Sequence, residues 1–151
     1  RIKFYIKDEQ REANRLKRSR IQANKARRNY LDAIDNDVKF KAIFVCYCAS
    51  NKQDVLSNLL LDRTIQEKIL DEFAIKEPEK FNKLFNNSQV ELQAFIEEAI
   101  ARGELVRSKV NQTVLTPEGG FIGANMKEAL AYFSNPENAD YKKALETKLK
   151  L

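Results

Sequence analysis

The residues whose chemistry depends most on their spacing are the two cysteines. Cys46 and Cys48 lie two positions apart, and a disulfide between them would close a small, strained ring. A tetrahedral zinc site needs four ligands, and the chain has no histidine to add to the two thiolates. We therefore expect buried free thiols in a reducing compartment, with no metal and no cofactor. The alternative is a metal or redox role completed by another chain.

Catalytic side chains are scarce. The absence of histidine removes the commonest general base and excludes a Ser-His or Cys-His nucleophile pair within this chain. The carboxylate pairs Glu97/Glu98 and Asp71/Glu72 have the spacing of ordinary solvated helix faces. An enzyme would need a partner chain to supply its missing groups, so we predict a protein that is not an enzyme.

One glycine-rich loop, residues 116–123, precedes a predicted helix. A phosphate group can bind at a helix N-terminus, but no Lys-Ser/Thr pair follows the loop and the dinucleotide-binding spacing does not occur. We predict a plain turn.

Positive charge is concentrated at the N-terminal end of the chain. Residues 1–28 contain eleven Lys/Arg and three acidic residues, a net charge of +8, whereas the remaining residues contain 16 basic and 19 acidic groups, a net charge of −3. Like charge at this density repels itself unless an anionic partner neutralises it. The predicted partner-binding or nucleic-acid-binding residues of this basic arm are Arg11, Arg15, Lys17, Arg18, Arg20, Lys25, Arg27 and Arg28.

The arm also has a thin apolar stripe at helical spacing, which we interpret as a docking seam. It consists of Leu16, Ala23, Ala26 and Tyr30. Because most of these residues are small, such a helix buries little in a core and is expected to lie on another surface. Docking on protein subunits is favoured slightly over nucleic-acid phosphates, and a solvated helix is the third possibility. A membrane surface is not expected, because large apolar residues opposite the charges are missing.

The elements that must position these residues are mainly α-helical. We predict a basic helical arm over residues 1–37 and a compact helical body over 38–151, with one β-hairpin near 104–116. Residues 2–7 are β-prone and precede a long helix from Asp8 to about Ala33. Residues 38–49 read almost equally as a strand or a buried helix, and we favour the helix.

Start and stop signals divide the body. Residues 64–67 and 88–91 match capping boxes, and Pro78 suits the first position of a helix. Gly103 suits a helix stop, and Asn125 with Glu128 suits a cap. Residues 105–108 and 113–116 read as paired strands, and residues 135–136 as the start of the final helix.

The order of three helices and a hairpin resembles a winged helix. In that fold helix 89–102 would enter the major groove. It carries Glu91, Glu97 and Glu98 against a single Arg102, so DNA phosphates would repel it. Arg107 and Lys109 on the hairpin are the remaining predicted contacts with nucleic acid.

The C-terminal half resembles part of a family of small proteins from tailed-phage genomes. The resemblance lies in residues 77–151, in the sequences PEKF at 78–81, IARGEL at 100–105, FIG at 121–123 and NPEN at 135–138. It implies a virion-associated or assembly role, in which a basic arm inserts between subunits or touches packaged DNA. It implies no functional residue.

Together these observations predict a non-enzymatic structural or interaction component of a larger assembly, such as a phage virion, that docks through its arm onto other protein subunits. The alternative is a DNA-binding accessory or regulatory protein that uses the arm and the hairpin. No run of apolar residues is long enough for a spanning helix or a signal peptide. We expect a location in the virion or the cytoplasm. Because the chain opens on Arg1 and its only methionine is Met126, we expect a processed product or part of a longer polypeptide.

Overall fold

Helices form most of the chain, as predicted. The computed structural model describes residues 2–150, and the side chains of residues 9–150. The helices are α1 (Ile2–Ile34), α2 (Asp37–Ser50), α3 (Val55–Leu59), α4 (Arg63–Lys76), α5 (Pro78–Asn86), α6 (Val90–Ala101), α7 (Met126–Ser134) and α8 (Ala139–Lys150), with a 3-10 turn at Pro136–Asn138. The strands are β1 (Val106–Arg107), β2 (Val114–Leu115) and β3 (Phe121–Gly123). None of the helices within residues 2–150 is both long enough and apolar enough to span a membrane.

Two ambiguous segments are helical. Residues 2–7, which are β-prone in the sequence, form the first turns of α1. Residues 38–49 lie in α2, so the favoured reading of that segment is confirmed. The side chain of Asn36 accepts a hydrogen bond from the amide of Lys39 at 3.2 Å and caps the start of α2. Buried residues occur on every side of α2, which explains why its sequence shows no clear helical period.

The predicted hairpin is confirmed and is extended by a third strand. Val106 pairs with Leu115 and Arg107 with Val114 in antiparallel register, and β3 continues the sheet on the other side of β2. The loop 116–123, for which we predict a plain turn, contains a turn at residues 117–120 that joins β2 to β3, but its last three residues form β3. Gly123 ends β3 directly against α7, where an added Cβ would lie 2.6 Å from the amide nitrogen of Ala129. A side chain there would push the sheet off the helix.

The helix-start signals predicted from the sequence are partly confirmed: a proline and an asparagine lie where we predicted them, but neither predicted capping box is formed. Pro78 is the first residue of α5, and the side chain of Asn125 accepts from the amide of Glu128 at 3.0 Å, as predicted. Both capping boxes are wrong. The helix α4 begins at Arg63, which places Thr64 in its first turn, and α6 follows Gln89, which makes no side-chain cap.

The core consists of two clusters that share α6. Phe40, Phe44, Leu70 and Phe81 belong to the first cluster, which also includes the C-terminal half of α1. Leu105, Val114, Ile122, Phe133 and Leu145 belong to the second, which joins the sheet to α7 and α8. The helix α6 contributes Val90 and Ala94 to the first cluster, and Ile96 and Ala99 to the second.

This position of α6 corrects one part of the winged-helix interpretation. The helix that would enter a DNA groove in that fold is covered on two sides by the chain itself. Of the residues of α6 only Glu91 is exposed, and its charge would repel DNA phosphates.

Candidate interaction surface

The C-terminal half of α1 is built into the body. Ala26, Tyr30 and Ala33 are buried in the first cluster, where α1 lies against α4 and α5. The hydroxyl of Tyr30 donates a hydrogen bond to the carbonyl oxygen of Glu67 at 2.9 Å, and its ring lies 6.5 Å from that of Phe81. These contacts anchor the base of the helix.

A buried amide fixes the same joint more specifically. Asn82 on α5 is only 5% exposed. Its amide nitrogen donates to the backbone oxygen of Gln22 at 3.1 Å and to the side-chain oxygen of Gln22 at 2.9 Å. Its side-chain oxygen accepts from the amide of Asn29 at 2.9 Å. Because a buried polar group is stable only when it is hydrogen-bonded, this network specifies how α1 lies on α5.

The C-terminal end of α1 is held by Arg63. Its guanidinium donates to the carbonyl oxygen of Ile34 and to the carboxylate of Asp37, both at 3.0 Å. It also lies over the ring of Phe40, 3.8 Å from the ring centre, which is a cation-π contact. The base of α1 is therefore fixed at its end as well as along its side.

Beyond this base α1 leaves the body. Every residue from 9 to 21 is exposed, including Leu16 at 52% and Ile21 at 45%. We call residues 9–21 the projecting segment, a rod about 20 Å long at 1.5 Å per residue. An isolated helix of this length is marginal in water without tertiary contacts.

The charge of this helix is largely uncompensated. Seven basic residues and no acidic residue occur between positions 13 and 31. Arg15 bonds the carboxylate of Glu12 at 2.5 Å, and Arg27 bonds that of Asp71 at 2.6 Å. The other predicted binding residues from position 17 onward form no ion pair within the part of the chain that the structure describes; they are Lys17, Arg18, Arg20, Lys25 and Arg28.

The structure places all eight predicted basic residues of the arm on the surface, in a single helix. Arg11, Arg15, Lys17, Arg18 and Arg20 lie in the projecting segment. The remaining three, Lys25, Arg27 and Arg28, are exposed next to the anchored base.

The predicted docking seam is divided between two environments. Leu16 and Ala23 are exposed, whereas Ala26 is 1% and Tyr30 is 7% exposed. The second pair seats α1 on its own body. Their helical spacing was recognised in the sequence, but the surface that they meet is the chain's own α4 and α5.

The two predicted hairpin residues do not join the arm. Arg107 forms an ion pair with the carboxylate of Glu97 on α6. Glu97 is only 8% exposed. Lys109 is exposed near the tip of the hairpin. Arg107 therefore has a structural role: its ion pair joins β1 to α6 in the part of the molecule that contains the second cluster.

Glu97 and Glu98 are not ordinary solvated charges, which corrects the sequence interpretation of this pair, whereas in the other pair Glu72 is exposed and Asp71 is half-buried. Glu98 is 6% exposed, and it forms ion pairs with Lys41 on α2 and with Arg102, which directly follows α6, each at 2.9 Å. Glu97 is held by Arg107. Both carboxylates have basic partners, as buried charges require, and they connect α6 to α2 and to the sheet.

The cysteines are buried free thiols, as predicted. Burial raises the pKa of Cys46 to about 12, with a smaller contribution from the charge of Glu97, and raises the pKa of Cys48 to about 11. The thiolate is the nucleophile and the metal ligand, so both groups are chemically inert near neutral pH. Among residues 2–150 no cluster of three or more His, Cys, Asp or Glu side chains is arranged to hold a metal.

Two adjoining surface hollows beside α1 were not predicted. One, of about 340 Å³, is lined by Ser19 and Gln22 of α1 and by residues 76–80, which include Lys76, Lys80, Glu77 and Glu79. The other, of about 460 Å³, is lined by Lys25, Lys83, Glu79 and a group of amides: Gln22, Asn82, Asn86 and Asn87. The three-residue spacing of Lys80 and Lys83 on α5 was the available sequence signal, but only the fold shows that they face α1.

Comparisons of the chain with protein-family models, with curated proteins and with solved structures give no match.

Proposed function

We propose that this chain is a non-enzymatic interaction component of a larger macromolecular assembly and that it attaches to the assembly through the projecting segment of α1. The observation that carries this proposal is an exposed basic helix on a specifically fixed base. Residues 9–21 have no buried side chain, while the same helix is locked to the body from Gln22 onward.

The fixed base gives the helix a defined direction. Because Asn82 and Arg63 hold α1 at two points, the body presents the projecting segment in one orientation. A preorganised element loses less conformational entropy on binding than a flexible tail does. An anionic partner would also relieve the repulsion among the arginines and supply the contacts that a solitary helix lacks.

Other protein subunits are the first candidate partners. The projecting segment exposes Leu16 and Ile21 among its charges, and protein interfaces combine apolar contacts with a polar rim. The resemblance of the C-terminal half to tailed-phage proteins supports a virion as the assembly.

The second candidate is non-specific contact with nucleic acid, as in a DNA-binding accessory or regulatory protein. The acid-free stretch at positions 13–31 favours it. The hairpin contributes less than the sequence indicated, because Arg107 is paired with Glu97.

The proposal is tested with the full chain and a neutralised variant, R11Q/R15Q/R18Q. Binding to two fluorescent probes, a 20-base-pair random duplex and poly-glutamate, is measured by anisotropy at low salt. We expect binding to at least one probe and a loss of at least tenfold in the variant.

A matched control, K127Q/K143Q/K150Q, removes the same charge from exposed positions outside α1 and should leave affinity within about twofold. Equal affinity of the arginine variant and the full chain for both probes would refute the arm as the docking element. Circular dichroism confirms that each variant is folded.

A further inference from the structure

The face of α1 that packs on the body is uncharged there, but it becomes basic where α1 extends beyond the body. Within the body this face carries Gln22, Ala26 and Ala33. Arg15 is eleven residues before Ala26, about three helical turns, so both lie on the same side of the helix. Arg11 and Arg18 flank Arg15 at spacings of four and three residues. A row of three arginines therefore overhangs the end of the body.

The part of the body beneath this row is also basic. It is the junction of α4 and α5, where the two hollows described above share Gln22 and Glu79. Lys76, Lys80 and Lys83 are exposed around them. We call these three lysines, with Arg11, Arg15 and Arg18, the basic corner.

We propose that the basic corner binds the phosphate backbone of a nucleic acid. This inference rests on the proposed function and takes up its second candidate, nucleic acid, as the partner of the projecting segment where that segment adjoins the hollows. The hollows are concave, with Ser19, Gln22 and Lys25 of α1 on one wall and the three lysines of α4 and α5 on the other. The arginines lie farther out along α1, so a phosphate backbone that leaves the hollows along this helix can contact both groups.

Charge spacing supports this partner. Positions 13–31 carry seven basic residues over about 28 Å of helix, or one basic side chain per ~4 Å, of which Arg15 and Arg27 are ion-paired within the chain. Each strand of duplex DNA carries one phosphate per ~3.4 Å of its axis. The amides of Asn86 and Asn87 beside Lys83 add neutral donors of the kind that contact phosphate and sugar oxygens.

The lining of the hollows disfavours an acidic protein in the same place. Apart from Pro78, every residue that lines them is polar or charged. Protein interfaces have an apolar, desolvated centre, and the hollows offer none. Nucleic-acid interfaces are more polar and more positively charged than protein interfaces.

Among the acidic residues of the basic corner, Glu79 is the one whose neutralisation should change phosphate binding most. Glu12 is bonded to Arg15, and Glu77 is bonded to Lys80 at 2.8 Å. Glu79 lies between the hollows, and it forms no ion pair among the residues that the structure describes. Its charge opposes a phosphate, so removing that charge should strengthen binding.

The test measures the affinity of the full chain for a random 20-base-pair duplex between 50 and 200 mM salt. The variant K76Q/K80Q/K83Q should bind more weakly. The negative slope of log K against log salt should become shallower by about 2.7 if each lysine contacts one phosphate. The control K127Q/K143Q/K150Q should keep the original slope. E79Q should bind the duplex at least threefold more tightly, and E137Q, at an exposed position on the α7–α8 connection, should not.

The outcomes separate this inference from the proposed function. If the arginine variant loses duplex affinity but K76Q/K80Q/K83Q does not, the projecting segment still docks and the corner is refuted. If poly-glutamate binds as tightly as the duplex with the same dependence on the lysines, the partner is an acidic protein and the nucleic-acid assignment is overturned. Absence of duplex binding at 50 mM salt overturns it as well.

Discussion

The ion pair between Arg107 and Glu97 should be a determinant of stability rather than of binding. Glu97 has a side chain only 9% exposed, and that of Arg107 is 27% exposed. Replacing Arg107 with alanine leaves a buried carboxylate with its charged partner removed. Breaking a buried pair in this way costs about 3–5 kcal/mol of unfolding free energy.

A loss of this size is readily measured. At about 2–4 °C per kcal/mol for a chain of this length, the melting temperature of R107A should fall by roughly 6–20 °C. Urea denaturation followed by circular dichroism gives the free energy directly. The double variant E97Q/R107Q should recover part of the loss, because it leaves no unpaired buried charge.

The opposite pattern would refute this reasoning. If R107A kept its stability within about 0.5 kcal/mol, the range of ordinary surface substitutions, and lost affinity for the duplex, Arg107 would be a nucleic-acid contact, as the sequence indicated. A control, K109A, changes an exposed charge on the same hairpin and should leave stability unchanged.

Three further predictions concern the base of α1 and the buried thiols. N82A should cost about 1–3 kcal/mol in urea denaturation, because it leaves polar groups of α1 without partners, and unchanged stability would contradict the proposed lock. A26L should destabilise by about 1–3 kcal/mol through overpacking, whereas L16A should stay within about 0.5 kcal/mol, and the reverse order would contradict the division of the seam. Stability should decline as pH rises from 9 towards 12. The thiols of the unfolded chain ionise first, near pH 9.0, whereas the raised pKa values of Cys46 and Cys48 keep the folded-state thiols neutral, so rising pH favours the unfolded state. The decline, measured as the free energy of unfolding at pH 8 and 10, should be smaller in C46A/C48A than in the original chain, and an identical decline would show that other groups cause it.

Local signals predicted the elements that local physics determines. Proline at the first helical position and an asparagine cap act within one turn, so Pro78 and Asn125 located α5 and α7. The helical reading of residues 38–49 succeeded because its neighbours are helical, although its own pattern is nearly uniform. The strand β3 was missed because three residues are too few to show an alternation.

The site was only partly predictable, because its contacts join distant parts of the chain. The basic residues of α1 were identified from charge alone. Their relation to Lys76, Lys80 and Lys83 depends on the hydrogen bonds of Asn82 with residues 53 and 60 positions away. A stripe of small residues such as Ala23 and Ala26 fits any helix, so the sequence did not distinguish the chain's own α5 from another molecule.

The shared helix α6 has a consequence for how the molecule opens. Because its residues enter both clusters, loss of either cluster uncovers one side of α6. Its backbone amides should therefore exchange with deuterium only when the whole fold opens, while those of the projecting segment exchange through local fraying. The body should thus show the strongest protection against hydrogen exchange and the projecting segment the weakest. The outer end of α1 can therefore adjust to a partner while the body stays folded.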